Sequence, residues 1–118
     1  MLKVFIFYEE KNKWIEERSH LLYHDFAAFI DEDAEIIYLW NGPKSTKERI
    51  KKGTEVLYKL IEQFAKTDFH IKKLNKKIPS HIKSCLENYL EVAKKEDKIA
   101  DYQYSHFFTI RLHALLSI

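Results

Sequence analysis

The side chains that could bind a metal or act in catalysis are few and scattered in this sequence. None of the six histidines falls on a predicted helix at the H-x-x-x-H spacing that brings two zinc ligands to one face. Cys85 lies on the apolar stripe of a predicted helix, where packing is commoner than nucleophilic chemistry. Gly42 and Gly53 are the only glycines, so there is no glycine-rich phosphate loop. The sequence therefore predicts that the protein is not an enzyme. The histidines are His20, His24, His70, His81, His106 and His113.

Length and composition predict one globular domain over residues 1–118. At 46% apolar residues, a chain of this size can bury a packed core. The 20 basic and 18 acidic residues nearly cancel, so the net charge of +2 does not indicate a nucleic-acid partner. A lone cysteine and the lack of a signal-peptide pattern or of an apolar run of about 20 residues predict a soluble, cytoplasmic protein.

Two apolar runs on either side of the acidic turn Asp31–Asp33 predict a pair of strands in the middle of a sheet. The second run, Ile36–Trp40, shows no polar alternation, so we expect both of its faces to be covered. The first strand of the chain should be aromatic on one face and aliphatic on the other. The predicted strands are Leu2–Tyr8, Trp14–Glu17, Leu21–Ile30, Ile36–Trp40 and a further strand around Phe69–Leu74.

A long helix is predicted from Ser45 to about Lys66. Ser45 and Glu48 have the spacing of a capping box, in which each side chain bonds the backbone N–H of the other residue. Gly53 falls on the apolar stripe, where it should let the helix approach the sheet closely. The apolar stripe is Ile50, Val56, Leu57, Leu60, Ile61 and Phe64, and the solvated face is Lys51, Lys52, Thr54, Glu55, Tyr58, Lys59 and Glu62.

A second helix is predicted from Ser80 to about Lys95, because its apolar residues recur at helical intervals. From Tyr102 to Ala114 the pattern changes to a period of two, which is typical of a strand. The segment from Arg111 to Ile118 also suits a helix, so both alternatives remain for the C-terminal segment.

Three motifs follow one another in the first half of the chain: H-D-F at 24–26, I-Y-L-W-N-G at 37–42 and S-T-K-E-R at 45–49. This arrangement resembles a gelsolin/villin-type domain, and the predicted order of elements agrees with that family over nearly the whole chain. The resemblance implies an α+β fold, related to ADF/cofilin, with a mixed sheet sandwiched between one long and one shorter α-helix. Filament severing, which needs linked domains, is not implied for a single domain.

The resemblance also implies a Ca²⁺ site. Gelsolin-like domains often bind Ca²⁺ between an Asp on strand three and a Glu early in the long helix, helped by backbone carbonyls. The matching positions are Asp25, Glu48 and the backbone carbonyl of His24, and such oxygen ligands suit a hard cation. The alternative is that Glu48 only closes the capping box and that Asp25 simply lies at a strand end.

Binding of actin, or of an actin-like protein, is the activity that the resemblance implies. A long helix lying in a cleft of the actin monomer would contact it through Lys51, Lys52, Glu55, Tyr58, Lys59 and Glu62. Such a module would sequester the monomer or modulate its polymerisation. The alternative is an adaptor domain that contacts another protein, like the gelsolin-type domains of vesicle-coat proteins.

Two basic clusters could attract anionic lipid head groups, as in gelsolin relatives. The alternative is that these exposed lysines only keep the protein soluble. The clusters are Lys72, Lys73, Lys76 and Lys77, and Lys44, Lys47, Arg49, Lys51 and Lys52.

Overall fold

The computed structural model describes residues 2–66, 68–74 and 77–90. They form a five-stranded mixed sheet with helices on both faces, so the predicted α+β fold class is confirmed. The strands are β1 (Leu2–Tyr8), β2 (Lys13–Glu16), β3 (Phe26–Asp31), β4 (Ile36–Asn41) and β5 (His70–Lys73). The helices are α1 (Lys47–Glu55), α2 (Leu57–Ile61) and α3 (Ser80–Tyr89), and a 3-10 turn (Glu9–Lys11) follows β1.

The sheet has the strand order β2-β1-β3-β4-β5. All neighbouring strands are antiparallel except β4 and β5, which run parallel. The central strand β3 is buried along Phe26–Ile30. In β4, Ile37–Trp40 is buried as well, so the prediction that this strand is covered on both faces is confirmed.

Each face of the sheet carries its own hydrophobic core, because side chains alternate between the two faces of a strand. In β1 the aromatic Phe5 and Phe7 enter one core, and the aliphatic Val4 and Ile6 enter the other, as predicted. The core on the α1–α2 side contains Phe5, Phe7, Trp14, Phe26, Ala28, Ile30, Ile37, Leu39, Leu57 and Leu60. The core on the α3 side contains Val4, Ile6, Leu21, Ala27, Phe29, Tyr38, Trp40, Ile82 and Leu86.

The third strand begins five residues later than predicted. Leu21 and Leu22 are fully buried, but they lie in a loop before β3. A turn forms there because the Asp25 N–H donates to the Leu22 carbonyl at 3.0 Å, while the Asp25 carboxylate accepts from the Leu22 N–H at 2.8 Å. The apolar character of this loop therefore reflects burial and not strand pairing.

The predicted capping box is wrong, because Thr46 and not Ser45 is the N-cap of α1. The Thr46 hydroxyl accepts from the Arg49 N–H at 3.1 Å. The Ser45 N–H donates to the Gly42 carbonyl at 2.9 Å, so Ser45 belongs to the turn that follows β4. Glu48 then lies one position too early in the helix to return the bond.

The long helix is divided at Val56, whose backbone (φ −107°, ψ 16°) is not helical. The Trp14 indole N–H donates to the Gly53 carbonyl at 3.1 Å, just before this break. Gly53 is buried, and a Cβ added there would lie 2.6 Å from the Phe26 ring. The prediction that Gly53 allows a close approach of helix and sheet is therefore confirmed.

The second predicted helix begins at Ser80 as expected, and its described part, α3, ends at Tyr89 with Leu90 as the C-cap. Its predicted continuation to Lys95 and the C-terminal alternatives over 102–118 lie outside the described residues, as does Lys76 of the basic cluster around Lys72. Of the helices in residues 2–66, 68–74 and 77–90, none is long and apolar enough to cross a membrane.

Candidate functional site

The loop that precedes β3 is held by bonds to three consecutive backbone carbonyls. The Tyr23 carbonyl accepts from the Lys44 N–H at 2.9 Å, and the Asp25 carbonyl accepts from the Gly42 N–H at 2.9 Å. The His24 carbonyl between them accepts a hydrogen bond from the Arg49 guanidinium. This loop and the turn after β4 thus form one hydrogen-bonded unit at the N-terminal end of α1.

Gly42 makes this close approach possible. A Cβ added at Gly42 would lie 2.2 Å from the Tyr23 carbonyl oxygen and 2.6 Å from that of Asp25. Both distances are far below van der Waals contact, and the obstructing atoms belong to the backbone. The glycine of the I-Y-L-W-N-G motif is therefore required by the packing of one loop on another.

Arg49 joins three elements of the fold. From the first turn of α1 its Nη1 reaches the His24 carbonyl, and its Nε lies 3.5 Å from the Glu9 carboxylate in the 3-10 turn after β1. Lys52, one turn further along α1, lies 3.7 Å from the other oxygen of Glu9. The Arg49 and Glu9 side chains are only 27% and 24% exposed, so water screens this pair less than it would on an open surface.

From the sequence, Arg49 was assigned only to a motif and to a basic cluster, and its role in this network was not predicted. A signal was available, because a cation in the first turn of a helix opposes the helix dipole. An Arg at this position indicates that its side chain contacts other parts of the fold, away from the backbone of its own helix.

The three predicted calcium ligands are each already bonded within the protein. The His24 carbonyl accepts from Arg49, and the buried Asp25 carboxylate accepts from the Leu22 N–H. The Glu48 carboxylate is 70% exposed and lies 3.1 Å from the Lys52 ammonium, one helical turn away. This ion pair is the first cause of a raised pKa of Lys52.

These residues do not fit a calcium ion as they are arranged. Ca²⁺ takes six to eight oxygen ligands, and one of the three predicted here, the His24 carbonyl, already accepts a hydrogen bond from the Arg49 guanidinium. No group of three or more His, Cys, Asp or Glu side chains within residues 2–66, 68–74 and 77–90 is arranged to hold a metal. Calcium binding through Asp25, Glu48 and the His24 carbonyl thus stays a prediction that the geometry does not favour.

The electrostatic environment of His24 is positive. Burial lowers the pKa of its imidazole, and the charges of Lys44 and Arg49 lower it further, while Asp25 acts in the opposite direction. The neutral imidazole is therefore favoured in the folded state. Cys85 is partly buried against the α3-side core, and burial raises the pKa of its thiol, which agrees with the expected packing role.

The predicted partner-binding residues all lie on the exposed surface of α1 and α2. The break at Val56 divides them, so that three residues precede it and three follow it. Tyr58, at 55% exposed, is one of the two large hydrophobic residues of the described chain that are strongly exposed, and Ile71 on β5 is the other, at 49%. The residues on α1 are Lys51, Lys52 and Glu55, and those on α2 or at its C-cap are Tyr58, Lys59 and Glu62.

The two basic clusters differ in how their charges are used. Lys72 and Lys73 extend from the exposed edge strand β5, and Lys77 is also exposed. In the cluster at α1, Arg49 and Lys52 already pair with carboxylates. Attraction of anionic lipid head groups by either cluster stays a prediction.

Two of the solved structures that share this fold are complexes with actin. Over 73% of its own length and 99% of the other chain, the protein is similar to a Thorarchaeota ProGel protein crystallised with rabbit actin, at 24% sequence identity and a TM-score of 0.58. A Thorarchaeota 2DGel3 protein, also in complex with rabbit actin, is similar over 75% of this chain and 44% of that chain, at 20% identity and a TM-score of 0.53. No protein-family model and no curated protein matches the chain. The likeness confirms the gelsolin-like fold that the sequence motifs predict.

Proposed function

We propose that this protein is an actin-binding module that sequesters the monomer of actin, or of an actin-like protein, or slows its assembly. The observation that supports this function most is the match to ProGel over 99% of that chain, in a complex with rabbit actin. A single domain of this fold thus accounts for almost the whole of a chain that forms such a complex. A role in the cytoplasm and a binding rather than an enzymatic activity are part of the same proposal.

The contact surface of this proposal is the exposed face of α1 and α2. A helix that binds in a groove needs apolar or aromatic anchors on the face it presents. Tyr58 is the exposed aromatic residue of this face, and its ring offers a large contact area at a low cost in conformational entropy. The charged residues around it, such as Lys51 and Glu62, would form the polar rim of the interface.

The adaptor alternative is not favoured, since both neighbouring structures were crystallised with actin. It predicts a different outcome in one assay, because an adaptor for another protein leaves actin assembly unchanged. Rabbit actin is the appropriate probe, as it is the partner in both complexes.

The test is the assembly of pyrene-labelled rabbit actin with increasing amounts of this protein, in EGTA and in millimolar Ca²⁺. We expect slower assembly or a lower plateau, and Tyr58→Ala should weaken the effect about 30-fold, as expected for a hot spot worth about 2 kcal/mol. Ile71→Ala is the matched control, because it removes the other strongly exposed apolar side chain from a different part of the surface. Assembly curves that do not change at a large molar excess of the wild-type protein would contradict actin binding.

A further inference from the structure

We propose that the Arg49 guanidinium supplies the positive charge that the loop before β3 needs. It takes the place that a bound calcium ion would have at the His24 carbonyl. The fold of this region then needs no metal and is independent of Ca²⁺. This role concerns the protein alone and holds whether or not actin is its partner.

The oxygen atoms around the Arg49 guanidinium, from the His24 carbonyl and the Glu9 carboxylate, are stabilised by a positive charge. The His24 carbonyl points to Arg49 from one side, and the Glu9 carboxylate lies 3.5 Å from it on another. Buried or half-buried oxygens of this kind need donors or cations, because an unpaired polar group in the interior is costly.

Arg49 meets this need in a way that Lys52 does not. Both cations lie near the Glu9 carboxylate, but of the two only Arg49 bonds the His24 carbonyl. The planar guanidinium donates from Nη1 to the His24 carbonyl, and its Nε faces the Glu9 carboxylate as a charge pair without a hydrogen bond, whereas an ammonium is a compact point charge. Arg49 therefore ties α1 both to the 3-10 turn after β1 and to the loop before β3.

The same contacts work against a calcium ion at this place. A divalent cation that used the His24 carbonyl would have to displace the guanidinium or approach it closely, and like charges repel. The positive charge of the site is thus supplied by the chain.

The experiment compares the thermal melting of four proteins in EDTA and in millimolar CaCl₂: wild type, Arg49→Met, Arg49→Lys and Lys52→Met. Methionine keeps an apolar stem but removes the charge. Lysine keeps the charge but lacks the planar set of N–H donors of the guanidinium. Lys52→Met is the matched control, because it removes a cation that also pairs with Glu9 but does not bond the loop before β3. Melting of the isolated protein needs no actin, so its outcome is separate from that of the assembly assay.

We expect the wild type to melt at the same temperature in EDTA and in Ca²⁺, since a ligand that does not bind the folded state cannot stabilise it. Arg49→Met should melt about 5 °C or more below the wild type, and Lys52→Met should melt close to the wild type. The melting temperature of Arg49→Lys should lie between those of Arg49→Met and the wild type.

A calcium-dependent rise in the melting temperature of the wild type would overturn the proposal. So would an Arg49→Met protein that melts at the wild-type temperature, which would mean that the apolar stem and not the charge matters. If Arg49→Met does not fold, the wild-type comparison and the Arg49→Lys variant still decide the question.

Discussion

At the scale of single residues, the region before β3 shows how one charge affects several groups. The Arg49 guanidinium bonds the His24 carbonyl and pairs with Glu9, and its charge adds to burial and to the charge of Lys44 in lowering the pKa of the His24 imidazole. Lys44, whose N–H holds the Tyr23 carbonyl, adds a second positive charge. The positive groups and the partial burial of His24 together make protonation of this histidine unfavourable in the folded protein.

A pH dependence of stability follows from His24. Its pKa is lowered below the usual 6.5 in the folded state, so between that value and the lower folded pKa the unfolded chain binds more protons. Stability should therefore be highest above about pH 6.5 and should fall as the pH is lowered through that value. Thermal melting between pH 5.5 and 8 measures this, and His24→Gln should flatten the acidic part of the profile.

His70→Gln is the control for this experiment, because His70 is exposed on the edge strand β5. We expect it to keep the wild-type pH profile. If His24→Gln keeps the wild-type profile as well, the fall at acidic pH arises from other groups and the assignment to His24 is wrong.

At the scale of elements, the sequence predicted the strands better than the ends of the helices. Strand positions depend on runs of apolar residues, and Leu2–Tyr8 was predicted to the residue. The N-cap of α1 could not be predicted in this way, because Ser45 and Thr46 both suit a cap and the choice depends on the turn that Ser45 forms with Gly42. The break at Val56 likewise depends on tertiary contacts, among them the Trp14 indole at the Gly53 carbonyl.

The contact of α1 with the sheet gives a prediction for Gly53→Ala. In an open helix this change stabilises by about 1 kcal/mol. Here the added methyl would lie 2.6 Å from the Phe26 ring and 3.0 Å from Phe7, and overpacking of this kind costs about 1–3 kcal/mol. We therefore expect a lower melting temperature and a lower denaturant midpoint. Glu55→Ala, on the exposed face of the same helix, should stay within about 0.5 kcal/mol of the wild type. A Gly53→Ala protein more stable than the wild type would show that helix and sheet can separate without cost.

At the scale of the whole molecule, one twisted sheet separates two hydrophobic cores, and the two cores are covered by different helices. This arrangement could be predicted because β3 and β4 are apolar on both faces, which only a covered sheet allows. The network at Arg49 could not be predicted, since Glu9, His24 and Arg49 are far apart in the chain and meet only through the packing of α1. The site depends on tertiary structure, whereas the fold depends mainly on the pattern of apolar residues.

The last prediction tests the central position of β4 through Trp40. This side chain is 8% exposed and packs in the α3-side core with Phe29 and Leu86. Truncation of a buried Trp to Ala typically costs about 3–5 kcal/mol, a large part of the 5–15 kcal/mol that stabilises an average domain. We therefore expect Trp40→Ala to unfold or to melt far below the wild type in calorimetry or circular dichroism. Tyr58→Ala, which removes an exposed ring, should melt close to the wild type, and this result would also show that its loss of actin binding is not caused by unfolding. A soluble Trp40→Ala protein with a cooperative transition near the wild-type temperature would mean that β4 does not need this side chain between the sheet and α3.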